Sequence, residues 1–325
     1  MFFVPIAGWY RLKRVGLCAM LFCLPLTVWA EEPVGTLGIV GSDTMADLVL
    51  RWGEQLSERH PGIRLQLQTG GSATAATALA AGTTRLGPMS RPMHETERQA
   101  FEARHGYAVL EVEVARDALA VVVHRHHPLE SLTLETLDAI FSTTRRCGGV
   151  EAVTRWEQLD IDGSSTIDEV GGRIELHGRN PASGSHGLFR QRALCDGEYH
   201  PRLNEHPGAA AVVAAVTESR EAIGYAGLNH LTPGVKPLAL EGHEGKRVAP
   251  GAEQVRQGTY PLSRSLLLYV NLPPGAALEG PERALLELIF SPEGQRTVAA
   301  LGFVTLSAEA VTAQRQRLGL DGATR

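Results

Sequence analysis

Three short stretches of this 325-residue chain combine small residues and hydroxyls: Gly41-Ser42-Asp43-Thr44, Gly70-Gly71-Ser72-Ala73-Thr74 and Ser183-Gly184-Ser185-His186-Gly187. Each follows a strand-like run and precedes a helical one. The first turn of a helix offers unpaired N–H donors and the positive end of the macrodipole, and small residues let a ligand approach that backbone closely. Ser42, Thr44, Ser72, Ser183 and Ser185 add donors without net charge. Taken singly, each serine reads as a helix cap worth about 1 kcal/mol. Taken together with Arg179, they read as a set, because an oxyanion stripped of water needs convergent donors and one fixed cation. A fourth segment, Leu86-Gly87-Pro88-Met89-Ser90-Arg91, closes a strand with a hydroxyl and a guanidinium. Ser90 is expected to face the same cleft, and Arg91 either joins it or pairs with Glu95.

Other chemistries fit less well. Ser183 or Ser185 as a nucleophile with His186 as base lacks the spacing of a nucleophile elbow, and neighbouring residues at a helix start point in different directions. No Walker lysine follows Gly184 to Gly187. His124, His126 and His127 have no cysteine or carboxylate at ligand spacing, so they are expected to form a solvated turn, and no metal or cofactor is implied.

The chain carries 31 basic and 36 acidic residues, a formal net charge of -5, the wrong sign for a protein that coats nucleic acid or anionic lipid. Arg11, Lys13 and Arg14 precede an apolar run from Val15 to Trp29, and Val28-Trp29-Ala30 places small residues where a signal peptidase cuts, so residues 1–30 are expected to be a cleaved secretory signal. Its removal takes three basic residues and no acidic ones, leaving 28 against 36, a net of -8. The mature chain is then soluble, exported and acidic, and must bind any anion by local geometry. Cys147 and Cys195 remain in an oxidising compartment, where they either form a disulfide or stay as two buried thiols.

From Thr36 onward, period-2 runs alternate with helical ones. Strands are expected at Thr36 to Val40, Ile63 to Leu67, Leu86 to Met89, Val112 to Val114, Ala118 to Val123, Arg173 to His177, Ile223 to Tyr225, Val235 to Leu240 and Leu266 to Val270. Helices are expected from Met45, Ala73, Glu95, Thr133, His186, Gly208 and Ser291, where Ser291-Pro292-Glu293 sets a cap, an N1 proline and a carboxylate in order. Residues 143–172 read as loop with at most one short helix near Trp156. The βαβ rhythm predicts an α/β fold with mostly parallel sheets. About 290 residues of it, with no flexible linker, predict two lobes between which the chain crosses on extended strands near Ala118 to Val123 and Leu266 to Val270.

These segments resemble the periplasmic phosphate-binding proteins of the phosphate ABC transporter, within the type II periplasmic-binding-protein superfamily. The resemblance runs along most of the mature chain. It is carried by Gly41-Ser42-Asp43-Thr44-Met45, Gly71-Ser72, Gly87-Pro88-Met89-Ser90-Arg91, Arg179-Asn180-Pro181-Ala182-Ser183-Gly184-Ser185, Ile223-Gly224-Tyr225-Ala226-Gly227, Tyr260-Pro261-Leu262-Ser263-Arg264 and Gly302-Phe303-Val304. It implies a non-enzymatic two-lobe protein that closes over dehydrated inorganic phosphate in the inter-lobe cleft and delivers it to a membrane permease, acting in the periplasm as a monomer. Residues 31–116 with about 257–325 would form lobe I, and about 117–256 lobe II.

Carried over by position, Ser42, Asp43, Thr44, Met45, Ser72 and Ser90 would bind from one lobe, and Arg179, Ser183, Gly184 and Ser185 from the other. Ser185 stands where the family commonly has threonine. Arg91 stands near the place where some members carry an aspartate that accepts the ligand proton. Asp43 is the nearest replacement acceptor, with helix capping as its alternative role. An exported interaction or sensor protein of the same fold, or a binder of sulfate, molybdate or arsenate, would share these features.

Overall fold

From Gly35 the chain forms a β-α-β-α-β-α series set by its own periodicity. It comprises β1 (Gly35–Gly41), α1 (Ala46–Arg59), β2 (Ile63–Thr69), α2 (Ser72–Ala81), β3 (Leu86–Met89) and the charged α3 (Glu95–His105). The computed structural model describes residues 1–2, 32–159, 170–242 and 245–321. The expected signal segment falls almost wholly outside the described residues. Among those residues no helix is long and apolar enough to cross a membrane.

The chain continues through β4 (Leu110–His124), β5 (Ser131–Thr133), α4 (Leu134–Phe141), β6 (Glu175–Arg179), α5 (Gly184–Ala193), β7 (Asn204–His206), α6 (Ala209–Glu218) and β8 (Ala222–Gly227). It ends with β9 (Val235–Pro237), β10 (Ala239–Glu241), β11 (Arg247–Val248), α7 (Ala252–Gln257), β12 (Ser263–Val270), α8 (Gly280–Ile289), α9 (Pro292–Ala300) and α10 (Ala308–Arg317). Thr133, Ser291 and Ser307 cap α4, α9 and α10 by accepting N–H donors of the first turn. A 3-10 turn, Trp156–Gln158, lies in the loop expected around Trp156.

One sheet runs in the order β2-β1-β3-β12-β4-β8-β6-β7, with β9 also on β4, and a small second sheet joins β11, β10 and β5. The outer pairs β1–β2, β1–β3, β6–β7 and β6–β8 are parallel. The middle of the sheet is antiparallel, where β12 lies between β3 and β4 and where β4 meets β8 and β9.

β4 joins what the sequence divided into two strands. Its first part, Leu110 to Ala118, pairs with β12, and from Leu119 it pairs with β8 instead. The interruption at Arg116-Asp117 does not end the strand because both charges find partners: Arg116 Nε lies 3.0 Å from Glu113, and Asp117 meets Arg264 directly across the sheet. The expected strand Val235 to Leu240 is instead two, β9 on β4 and β10 on β5.

Alternate residues of the central strands enter opposite cores, as a period of two requires. Leu266, Leu268 and Val270 pack with Leu37, Ile39, Trp52 and Leu285, whereas Leu267 and Tyr269 pack with Ala75, Leu79 and Phe101 under α2 and α3. Leu119, Val121 and Val123 meet Leu137, Phe141, Trp156 and Phe189, whereas Ala120 and Val122 meet Val212, Val213 and Val216 of α6. Burial on both faces explains why these strands read as continuous apolar runs. His127 corrects the expectation of a solvated histidine turn: it is buried, its ring 4.3 Å from that of Trp156, and its Nδ1 accepts the Leu129 N–H at 3.1 Å. Burial first, then the nearby cations, lowers its pKa to about 4.

Candidate functional site

The parallel strands β1 and β3 deliver their loops to one edge, where Ser42 N–H donates to the Pro88 carbonyl at 2.8 Å. A 3-10 turn, Asp43–Met45, then leads into α1. Ser42 and Thr44 are buried without capping it, and Ser42 Oγ has no partner among the described residues. The Met45 side chain belongs to the core beside Leu37 and Ile39, so only its backbone is available to a ligand. α2 starts after Gly71, whose φ of +102° favours glycine and whose missing Cβ would stand 2.3 Å from the Ala182 carbonyl. Ser72 Oγ accepts the Ser90 N–H at 3.0 Å, fixing the second loop to the end of β3.

The opposing loop comes from β6 and α5. β6 sits two residues later than the periodicity predicts, which places Arg179 at its end, and α5 starts two residues earlier, at Gly184, because Ser183 Oγ accepts the Ser185 N–H at 3.2 Å. Ser183 therefore does serve as a helix cap. This loop meets the first three: Ala73 N–H donates to the Ala182 carbonyl at 3.2 Å, and Thr44 Oγ1 lies 3.5 Å from Ser185 Oγ. A Cβ on Gly184 would stand 2.3 Å from Ser72 Oγ and 2.4 Å from Ser90 Oγ, so only glycine allows this approach. The structure thus brings all ten residues from the sequence together in the four facing loops.

Arg179 is 1% exposed and held from three sides. Its Nε donates to the His206 carbonyl at 3.2 Å, and one terminal nitrogen donates to Pro207 O at 2.8 Å and to Asp43 Oδ2 at 2.5 Å. The other terminal nitrogen, and Asp43 Oδ1, have no partner among the described residues. Asp43 therefore pairs with the site cation, which the sequence did not anticipate. Behind Arg179, its N–H donates to Tyr225 Oη at 3.1 Å, and Tyr225 lies 3.1 Å from Tyr199 Oη, which donates to the His186 carbonyl at 2.9 Å. Burial raises the Tyr225 pKa to about 12, so it stays a proton donor within this chain of contacts.

Arg91 is not a second ligand cation. It does not pair with Glu95 either, which bonds Arg98; its fork meets both Glu97 oxygens at 2.7 Å. Burial pushes the Glu97 carboxyl up, yet Arg91 and the His94 N–H outweigh it and leave the pKa below the ordinary value. His186 lies against Tyr199 at 4.3 Å between ring centroids, and burial followed by Arg190 lowers its pKa to about 4. Cys147 and Cys195 form the disulfide, tying the segment after α4 to the end of α5 across 5.2 Å between Cα atoms.

Two residues beside this site were not assigned to it by the sequence, although Arg264 closes one of the segments that carry the resemblance. Arg264 of β12 and Asp117 of β4 form an ion pair in which each side chain is 1% exposed, and the arginine also reaches Ser185 Oγ at 2.8 Å. Asp117 left only a weak trace in the sequence, a charge immediately before the apolar run Ala118 to Val123. The four loops and the open guanidinium nitrogen can surround a small oxyanion with neutral donors and one cation, excluding water.

Residues 30–293 match the PBP superfamily domain. The phosphate-binding protein PstS of Pseudomonas aeruginosa is 43% identical over 298 residues, 91% of each chain. The chain belongs to the PstS family. Among solved structures, a phosphate ABC transporter substrate-binding protein from Clostridium perfringens, with bound phosphate, superposes with a TM-score of 0.67 at 21% identity, covering 84% of this chain and all of that one. An ABC-type phosphate transport receptor from Vibrio cholerae gives 0.65 at 20% identity, covering 83% and 100%. At that identity these two establish the shared fold, the two-lobe type II architecture.

Proposed function

We propose that this chain is an extracytoplasmic solute-binding protein that captures inorganic phosphate and delivers it to an ABC permease. It is not an enzyme: relatives that share its sequence along nearly the whole length are phosphate-binding proteins. The observation that carries the binding site is the convergence of Ser42, Asp43, Thr44, Met45, Ser72, Ser90, Ser183, Gly184 and Ser185 around Arg179, with one guanidinium nitrogen and several hydroxyls available.

Neutral donors spread the ligand's charge, and Arg179 offsets part of it. Asp43 accepts the proton of hydrogen phosphate, which disfavours sulfate because a fully deprotonated oxygen would face an ionised carboxylate. Residues 31–116 with about 257–325 form one lobe and about 117–256 the other. The change of partner within β4 and the separate cores on its two halves support that division. The protein is exported by its N-terminal signal, acts in the periplasm and works as a monomer.

Calorimetric titration of ligand-free protein with phosphate, sulfate, molybdate and arsenate tests the reading. Micromolar or tighter phosphate binding is expected, with sulfate much weaker. No phosphate binding would make this an interaction or sensor protein, and a preference for another anion would reassign the ligand.

A further inference from the structure

Arg264 stands directly across from Asp117 where β12 pairs with β4. Its Nε and one terminal nitrogen donate to Asp117 Oδ2 at 2.9 and 2.5 Å, so one edge of the guanidinium is fixed to the sheet. Its other terminal nitrogen donates to Ser185 Oγ at 2.8 Å and lies 3.4 Å from the Ser90 carbonyl. Both side chains of the pair are 1% exposed, and a Cβ on Gly227 would stand 3.3 Å from Asp117 Oδ2 and 3.5 Å from the arginine. A guanidinium buried this deeply keeps its geometry only while its acceptors remain in place.

A serine hydroxyl has one hydrogen to give and lone pairs with which to accept. Because Arg264 can only donate, Ser185 must accept from it, which leaves the Ser185 hydrogen pointed elsewhere. Thr44 Oγ1, at 3.5 Å on the opposing loop, marks the direction of the candidate site. We propose that Arg264, anchored by Asp117, is a positioning residue of the anion site: it fixes the Ser185 hydroxyl as a donor to the bound phosphate. It also ties the start of α5 to the loop after β3. This rests on the reading of the four loops as the phosphate site. It gives Arg264 no direct contact with the anion.

The test is a double-mutant cycle read by calorimetric phosphate titration, using Arg264→Met, Ser185→Ala and the double variant, with melting curves without phosphate to confirm folding. Each single change is expected to weaken binding by about 10- to 100-fold, the range for loss of a charge-assisted hydrogen bond. The double variant should be no weaker than the weaker single one, a coupling that a merely structural arginine would not produce. Ser185→Thr, which keeps the hydroxyl, should retain the sensitivity to Arg264→Met. If Arg264→Met does not fold, Arg264→Lys replaces it in the cycle, since one ammonium cannot reproduce the fork that meets both Asp117 and Ser185. Strictly additive losses, or unchanged affinity in the arginine variant, would overturn the inference while leaving the site intact. Absence of phosphate binding by the unsubstituted protein would overturn the site reading and the inference with it.

Discussion

Asp43–Arg179 and Asp117–Arg264 are both carboxylate–guanidinium pairs beside the four loops, yet they are built for different work. Arg179 sits at a strand end, its side chain 1% exposed and that of Asp43 21% exposed, and one terminal nitrogen has no partner among the described residues. Arg264, the second residue of β12, faces Asp117 in the interior of β4 with both side chains of the pair 1% exposed, and each of its three nitrogens meets an acceptor. An arginine at a strand end, partly spent on carbonyls, can take a ligand. One spent wholly on the protein can only arrange what surrounds it.

The largest expected effect separates the two arginines. Arg179→Ala should abolish tight phosphate binding, by about a thousandfold or more, because the anion loses its charge-assisted contact in a dry site. The fold should survive, and Arg179→Lys should recover only part of the affinity. Unchanged calorimetric affinity in the alanine variant would remove Arg179 from the site.

The carboxylates should divide in the opposite sense. Asp117→Asn leaves Arg264 buried without its counter-charge and should cost about 3–5 kcal/mol of stability in denaturant unfolding. Asp43→Asn should cost far less stability but weaken phosphate and relax discrimination against sulfate, since an amide can donate to a deprotonated oxygen. An unchanged phosphate-to-sulfate ratio would reduce Asp43 to a partner of Arg179.

A smaller effect concerns the core rather than the site. His127 has its folded pKa lowered to about 4, chiefly by burial, below an unfolded value near 6.5. As pH falls through that window the unfolded chain takes up a proton that the folded one refuses, so stability drops by up to about 1.4 kcal/mol per pH unit for this group. His127→Asn, which keeps an acceptor for the Leu129 N–H, should flatten unfolding midpoints between pH 6.5 and 4. A slope unaltered by the substitution would assign the acid sensitivity to His186 or other groups.

The sequence by itself determined whatever depends on near neighbours. Hydrophobic spacing gave α1 through Val49, Trp52 and Leu56, and the Ser291-Pro292-Glu293 order gave the start of α9, because caps and periodic faces involve residues a few positions apart. It also marked the serine- and glycine-rich helix starts that hold most of the proposed site positions, since such starts have a local signature, whereas Asp43 and Met45 were named only through the family resemblance. What only the tertiary structure decided lies between residues far apart. Arg179 meets Asp43 across 136 positions and Arg264 meets Asp117 across 147, and neither distance leaves a trace in local pattern. The continuity of β4 through Arg116-Asp117 follows from the same cause: a charge that reads as a strand break in isolation becomes part of the strand once the facing strand supplies its counter-ion.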